Sequence, residues 1–453
     1  MVIMAVAMLV PATVWAQTSS INAYSPFSMY GPGEILTPGS VQMRSMGGFG
    51  VALRSSSQIN VLNPASVSMA PAKSFLFDVN FEGGHYRNSQ LKFGGQNSYM
   101  ARTAYNAGNI HNIGLAFPLA KGLGMMLNVS PYSSVGYKLG TTDEQQDNWA
   151  DIGRVQYIYS GEGDITEVKL AVGWAPVRQF SIGVAARYLW GQVDRKYATR
   201  FDVVTAPGSL ATTQGVDRYI VNNFKFQFGL QWSIIHSEVR MLVLGATYDL
   251  GGRLNPRKQT YLYTDNALNS VESFPIRNSL NVLDLRVPHQ VGAGIYYLDR
   301  KFAWGVDYNY AMWGGDNADY KENSEMDIPV SYIDTHSIKA GMEFTPRRGD
   351  TRNYLNRMSY RVGARLGNYY QTFFGERVNT MAVTAGIGFP IRLWGASSIN
   401  LGFEYGRMAG PKSVTWNGAN VGVARQNYYK ISLGFSLFSH DTQDYWFVRQ
   451  KFD

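Results

Sequence analysis

Residues 428–438 read YYKISLGFSLF, and the period of the stretch is two. Tyr429, Ile431, Leu433, Phe435 and Leu437 fall on one face; Tyr428, Lys430, Ser432, Gly434 and Ser436 fall on the other. A strand divides its side chains in this way, whereas a helix of period 3.6 does not. The division recurs at 224–234, where Phe224, Phe226, Phe228, Leu230, Trp232 and Ile234 alternate with Lys225, Gln227, Gly229, Gln231 and Ser233. It recurs again at 302–310, with Phe302, Trp304, Val306, Tyr308 and Tyr310 against Ala303, Gly305, Asp307 and Asn309.

Carried along the chain, the same pattern gives fourteen segments: 73–88, 110–118, 123–139, 165–175, 179–195, 219–235, 239–250, 286–298, 301–312, 335–345, 357–371, 377–389, 397–409 and 426–438. Each reaches or approaches the roughly 9–11 residues that a tilted strand needs to cross a bilayer. Most connections alternate between short (176–178, 236–237, 299–300) and long (140–164, 196–218, 251–285, 313–334). That alternation, together with an even strand count, describes an all-β, 14-stranded antiparallel transmembrane β-barrel over residues 73–438. A soluble sandwich also alternates, but here the polar face gathers charges, among them Glu82, Arg187, Asp307, Arg361, Arg365 and Glu404. Apolar-out and polar-in is the barrel's arrangement, and the six form the expected polar network of the lumen.

Composition agrees. The 453 residues are 14% aromatic and 16% charged, with 47 glycines and no cysteine, which excludes disulfides and thiolate metal sites. The net charge of +8 is spread without a run of five or more like charges, so no nucleic acid is expected as partner, and an anionic lipid surface suits it better. Residues 1–16, MVIMAVAMLVPATVWA, read as a signal peptide cleaved before Gln17, which directs the chain to the outer membrane of a Gram-negative bacterium. The histidines are scattered without metal spacing, and most fall at strand ends, where they are expected to face water. The acidic stretch 315–327 lacks the spacing of a calcium loop, and no nucleophile elbow or phosphate loop occurs, so neither a metal, a cofactor nor an enzyme activity is expected.

Residues 17–72 do not alternate and are rich in glycine and proline; placed before the first strand, they are expected to fold into the lumen as an N-terminal hatch. Within them runs SMGGFGVALRSSSQINVLNPAS, residues 45–66. The stretch resembles the N-terminal hatch of the FadL-type (OMPP1/FadL/TodX) outer-membrane transporters, with Gly47 and Gly48 ahead of an Asn-Pro-Ala box at Asn63, Pro64 and Ala65. The opening YSPFSMYGPGE at 24–34 and the MGG-x-G-x-AL pattern look like the Bacteroidota branch of that family. Pro131 lies inside the third segment and removes a ladder donor there. The resemblance implies that the third strand carries an inward kink beside a lateral opening, which Pro131 and Gly136 match.

The resemblance further implies an outer-membrane channel for passive uptake of hydrophobic small molecules, such as long-chain fatty acids, by lateral diffusion through the barrel wall. Capture would fall to Phe201, Val204, Tyr261, Tyr263 and Phe274 on two of the long loops, 196–218 and 251–285. The alternative is a non-transporting FadL-like barrel that serves as structural subunit of an outer-membrane protein assembly or secretion complex. A continuous apolar path through the barrel distinguishes the first from the second, which calls for a sealed lumen and exposed apolar surface. Residues 439–453 are expected to form a periplasmic tail, either tucked under the barrel through Tyr445, Trp446 and Phe447 or contacting a partner.

Overall fold

A computed structural model describes residues 22–71, 74–94, 97–142, 154–202, 212–237, 239–254, 257–266, 269–279, 285–318, 328–350, 352–391 and 397–439. The signal segment, Val204, positions 319–327 of the acidic stretch and the tail from 440 onward lie outside them. Fourteen antiparallel strands close a barrel. They are β1 (Phe75–Gly94), β2 (Asn97–Ala120), β3 (Leu123–Thr142), β4 (Arg154–Val177), β5 (Phe180–Asp202), β6 (Thr212–His236) and β7 (Met241–Asp249). Then follow β8 (Gln290–Leu298), β9 (Phe302–Ala311), β10 (Thr335–Phe344), β11 (Ser359–Phe373), β12 (Glu376–Pro390), β13 (Ser398–Ala409) and β14 (Arg425–Ser439). Pairing of β1 with β14, from Phe75↔Ser439 to Ser89↔Arg425, joins the two ends of the sheet.

The faces follow the alternation. Phe226, Phe228, Trp304 and Val306 point outward, Phe228 at 49% exposure, while Lys225, Gln227 and Asp307 point into the lumen. Toward the long-loop end the outer face carries rings with polar tips. The Tyr248 hydroxyl lies 2.7 Å from His289 Nδ1, the Tyr308 hydroxyl lies 2.7 Å from His336 Nδ1, and Tyr405 packs on Tyr429 at 5.1 Å between centroids. Such amphipathic rings form the girdle where an apolar band meets water. No helix among the described residues is long and apolar enough to cross a membrane.

Two expectations need correction. The stretches 196–218 and 251–285, read as loops, are largely strand. β5 and β6 continue to Asp202 and from Thr212, and a hairpin of Arg257–Asn266 and Asn269–Ser279 extends the wall above β7 by pairing with β6, Tyr261 opposite Val216. The two faces of QTYLYTDN, Gln-Tyr-Tyr-Asp and Thr-Leu-Thr-Asn, are both largely polar, so the period-two signal is weak there. His111, expected to face water, is buried on the inner face with Nε2 3.0 Å from the Thr37 carbonyl oxygen.

Residues 22–69 pack against the inner face of the wall. A short helix, Val41–Arg44, is capped by the Ser40 hydroxyl, which accepts from Met43 N at 3.4 Å. A 3-10 turn, Pro64–Met69, starts on proline, whose missing donor costs nothing at a helix start. The wall meets this segment with glycine. A Cβ at Gly183 would stand 2.4 Å from the Pro64 carbonyl carbon, and one at Gly363 2.2 Å from the Met46 carbonyl carbon, so only bare backbone fits.

Candidate functional site

The site is the lumen, together with a break in its wall. β2 and β3 pair from Ala120↔Leu123 only as far as Ile113↔Val129. Beyond that point β3 keeps β4 as neighbour, with a register shift at Pro131, while the other edge of β2 from Asn97 to Asn112 has no strand partner among the described residues. Pro131 cannot donate to a ladder, and the shift follows where the donor is missing. From Ser133 to Tyr137 every residue is buried, so β3 loses its alternation and runs inside the line of the wall.

The N-terminal segment takes the place that β2 vacates. Glu34 and Ile35 pair with Ser134 and Ser133 of β3. Ser25 N donates to the Gly136 carbonyl at 2.7 Å, Gly136 N donates to Ser28 Oγ at 3.1 Å, and Leu36 N donates to the Tyr132 carbonyl at 3.0 Å. Tyr24 stacks on Tyr105 of β2 at 4.3 Å between centroids. Pro131 and Gly136 are thus brought together with residues 24–36, which lie across the gap.

The other sequence-predicted residues fall into separate groups. Asn63 is fully buried; its Oδ1 accepts from Ala65 N at 3.0 Å, and its Nδ2 donates to the Val51 carbonyl at 2.7 Å and to the Leu230 carbonyl of β6 at 3.1 Å. Pro64 and Ala65 open the 3-10 turn behind it. Gly47 and Gly48 have φ of +77° and +78°, and Gly47 N donates to Thr384 Oγ1 of β12 at 2.9 Å. Among the charges, Arg44 of the short helix pairs with Glu82 of β1, which also takes Lys430 of β14 at 3.0 Å. Arg44 stands 4.0 Å from Glu404, itself held bidentately by Arg365. Asp307 receives Gly50 N at 2.6 Å and Val51 N at 2.8 Å. Arg187 pairs with Glu167 and Asp249 at 2.5 and 2.6 Å, and Arg361 pairs with Glu343 at 2.7 Å, all within the wall.

Sequence reasoning missed Arg44, the charge that the segment itself brings into the lumen; its place after Ser40 on a short helix was the available signal. Of the proposed capture residues, Phe201 ends β5, and Tyr261, Tyr263 and Phe274 sit in the extra hairpin, where the Tyr261 hydroxyl donates to Gln259 Oε1 at 3.0 Å.

A cavity of about 310 Å³ remains between segment and wall, lined by Lys169, Arg187, Lys225, Lys339, Arg365 and Lys430 against Glu34, Glu167 and Asp249. Toward the long-loop end it is roofed by an apolar layer, with Phe27 5.4 Å from Phe373 and Trp313 4.4 Å from Tyr370 between centroids. The Tyr370 hydroxyl donates to the Gly33 carbonyl at 2.6 Å, fixing that layer to the N-terminal segment. Among the described residues no group of three acids or histidines is placed to hold a metal ion.

Solved structures share this architecture. The toluene transporter TodX of Pseudomonas putida is 14% identical, with 90% of this chain and 100% of that one covered at a TM-score of 0.57. A FadL homologue of Pseudomonas aeruginosa is 11% identical, covering 89% and 99% at 0.55, and the toluene transporter TbuX of Ralstonia pickettii is 12% identical, covering 92% and 100% at 0.53. The fold is therefore that of the FadL/TodX-type outer-membrane barrels, whose solved members are channels for hydrophobic compounds. No curated protein matches the chain. The sequence model named BamG matches residues 1–453, the whole length that carries the barrel, the parted strands and the segment lying across them, and the chain belongs to the BamG family.

Proposed function

We propose that this chain is an outer-membrane barrel with a closed lumen, acting as structural subunit of an outer-membrane protein assembly or secretion complex. The observation that carries the reading is the lining of the lumen: the cavity beside the gap holds ammonium, guanidinium and carboxylate groups among its apolar side chains, under an aromatic layer that includes Trp313, Tyr369 and Tyr370. An alkyl or aromatic ligand there would displace water from those charges and offer them no hydrogen bond in return, which is costly. The outer surface offers what a partner needs. The edge of β2 from Asn97 to Asn112 is unpaired by any strand among the described residues, and the tip of the β1–β2 hairpin exposes Phe93 of β1 with Tyr99 and Met100 of β2. Open edges pair readily with another chain. In this reading residues 17–72 are a permanent hatch, and the chain is of the Bacteroidota-like branch. Purification from native membranes at natural expression levels tests it: a stoichiometric outer-membrane partner is expected, and recovery of the barrel alone would refute it.

The parting of β2 from β3 at Pro131 favours a second reading, passive uptake of a hydrophobic molecule such as a long-chain fatty acid through the wall. Asn112 and Ser130 are the next facing positions beyond the last ladder pair. A disulfide between Asn112→Cys and Ser130→Cys would then abolish uptake reversibly; absence of uptake in the unlinked protein leaves the first reading standing.

A further inference from the structure

At the short-turn end, below the N-terminal segment, lies a second cavity of about 480 Å³, within the range of roughly 300–1,000 Å³ usual for ligand sites. Four arginines line it, Arg54, Arg348, Arg357 and Arg361, against a single carboxylate, Glu343, among the described residues. That carboxylate is already shared by Arg361 at 2.7 Å and Arg348 at 3.4 Å, and Arg361 also donates to Asn400 Oδ1 at 2.9 Å. Arg54 is placed differently. It is 1% exposed and its Nη1 donates to the Gln179 carbonyl at 3.1 Å, while Nε and Nη2 are buried with no hydrogen-bond partner among the described residues. Arg357 Nε is unsatisfied in the same way, its guanidinium standing 4.9 Å from the centre of the Tyr354 ring.

The two orphaned donors of Arg54 form one edge of the guanidinium, where they point the same way and fit two oxygens of one anion. A guanidinium buried without such a partner is costly, so the cavity is short of an anion. A carboxylate would answer that edge alone. A phosphate has further oxygens for Arg357 Nε and for the hydroxyls of Ser55 and Ser57, which line the same cavity, and its second negative charge suits a lining with three more cations than anions. The remaining lining includes apolar side chains, Met46, Leu53, Met69 and Leu298, which a bare inorganic ion would leave uncovered. We infer that this cavity binds the phosphate group of an organic phosphoester, held by the Nε–Nη2 edge of Arg54, with the esterified group lying on the methionine and leucine side chains. Neither a partner at the β2 edge nor passage beside Pro131 uses this cavity, so the site is additional to both readings above.

The full-length protein in neutral detergent is titrated calorimetrically, at fixed ionic strength, with glycerol 3-phosphate and with dihexanoyl phosphatidic acid below its micellar concentration. The two probes carry the same phosphate group without and with acyl chains, and acetate is the comparison anion. At least one phosphoester is expected to bind at least tenfold more tightly than acetate. Tighter binding of the lipid identifies a lipid headgroup as the source, and equal or tighter binding of glycerol 3-phosphate identifies a soluble phosphoester. Arg54→Gln should weaken that binding at least tenfold. Arg357→Gln, which lies outside the N-terminal segment, should weaken it too and decides the matter if Arg54→Gln fails to fold; heat-modifiable gel migration checks each barrel. Arg300→Gln, exposed in the β8–β9 turn at the same end and outside the lining, should leave it unchanged. Binding of neither phosphoester, acetate binding as tight as theirs, or a loss in the cavity variants no greater than in Arg300→Gln would overturn the inference.

Discussion

Asp307 of β9 is 0% exposed, and its carboxylate receives two successive backbone donors, Gly50 N and Val51 N, from the N-terminal segment. Hydrogen bonds to a charged acceptor contribute about 1.5–3 kcal/mol, so Asp307→Asn should loosen the segment by that order and hasten proteolytic cleavage within residues 45–60 while the barrel persists. On the opposite face Phe228→Arg should cost about 2–4 kcal/mol near the midplane, read as a lower denaturant midpoint for folding into vesicles. These outward residues were legible because alternation alone places them. The close approach of the segment to the wall was not. Asn63 bonds to carbonyls of β6 and to Val51, and backbone acceptors carry no sequence signature. Glycines on the polar face, Gly183 and Gly229 among them, were the readable trace, since a glycine within a strand marks a backbone neighbour too close for Cβ.

Among the described residues, β2 is left half unpaired on its β3 side. Its lower half, Ile113–Ala120, is zipped to β3, while its upper half pairs with β1 and with no other described strand. If that edge and tip receive a partner strand, Tyr99→Asp with Met100→Asp should leave barrel folding intact, yet strip the partner during purification from native membranes. Retention of the partner by the double variant would remove this hairpin from the interface. The sequence announced the break through Pro131 but not what fills it. Pairing of Glu34–Ile35 with Ser133 and Ser134 joins positions about a hundred residues apart and too few to form a periodic pattern. The extra hairpin above β7 escaped for another reason: with neither face apolar throughout, period two does not distinguish its strands from a loop.

For the whole molecule, alternation fixed the strand number and inside-outside sense, because both follow from one repeated physical demand, an apolar belt around a polar bore. The closure of that bore depends on residues 22–69, and their removal would leave Glu82, Asp307, Arg365, Glu404 and Lys430 facing water. In planar bilayers the intact protein is therefore expected to show no large conductance, and a variant lacking 22–69 a stable porin-like one; large conductance from the intact chain would contradict a closed lumen.

The same packing imposes a chronology. Asn22 bonds to Asp164 far up β4, and the Tyr86 hydroxyl donates to the Asn22 carbonyl, yet the chain joins the wall at Phe75 on the opposite end. If the wall were completed first, residues 22–69 would have to enter it lengthwise to reach these contacts. Seating of the segment while the sheet is still an open trough would avoid that passage, with the seam of β1 and β14, which joins strands far apart in the sequence, closing afterwards. Birth of this barrel would then be a wrapping rather than a filling, and its rate would depend on how long the trough stays open.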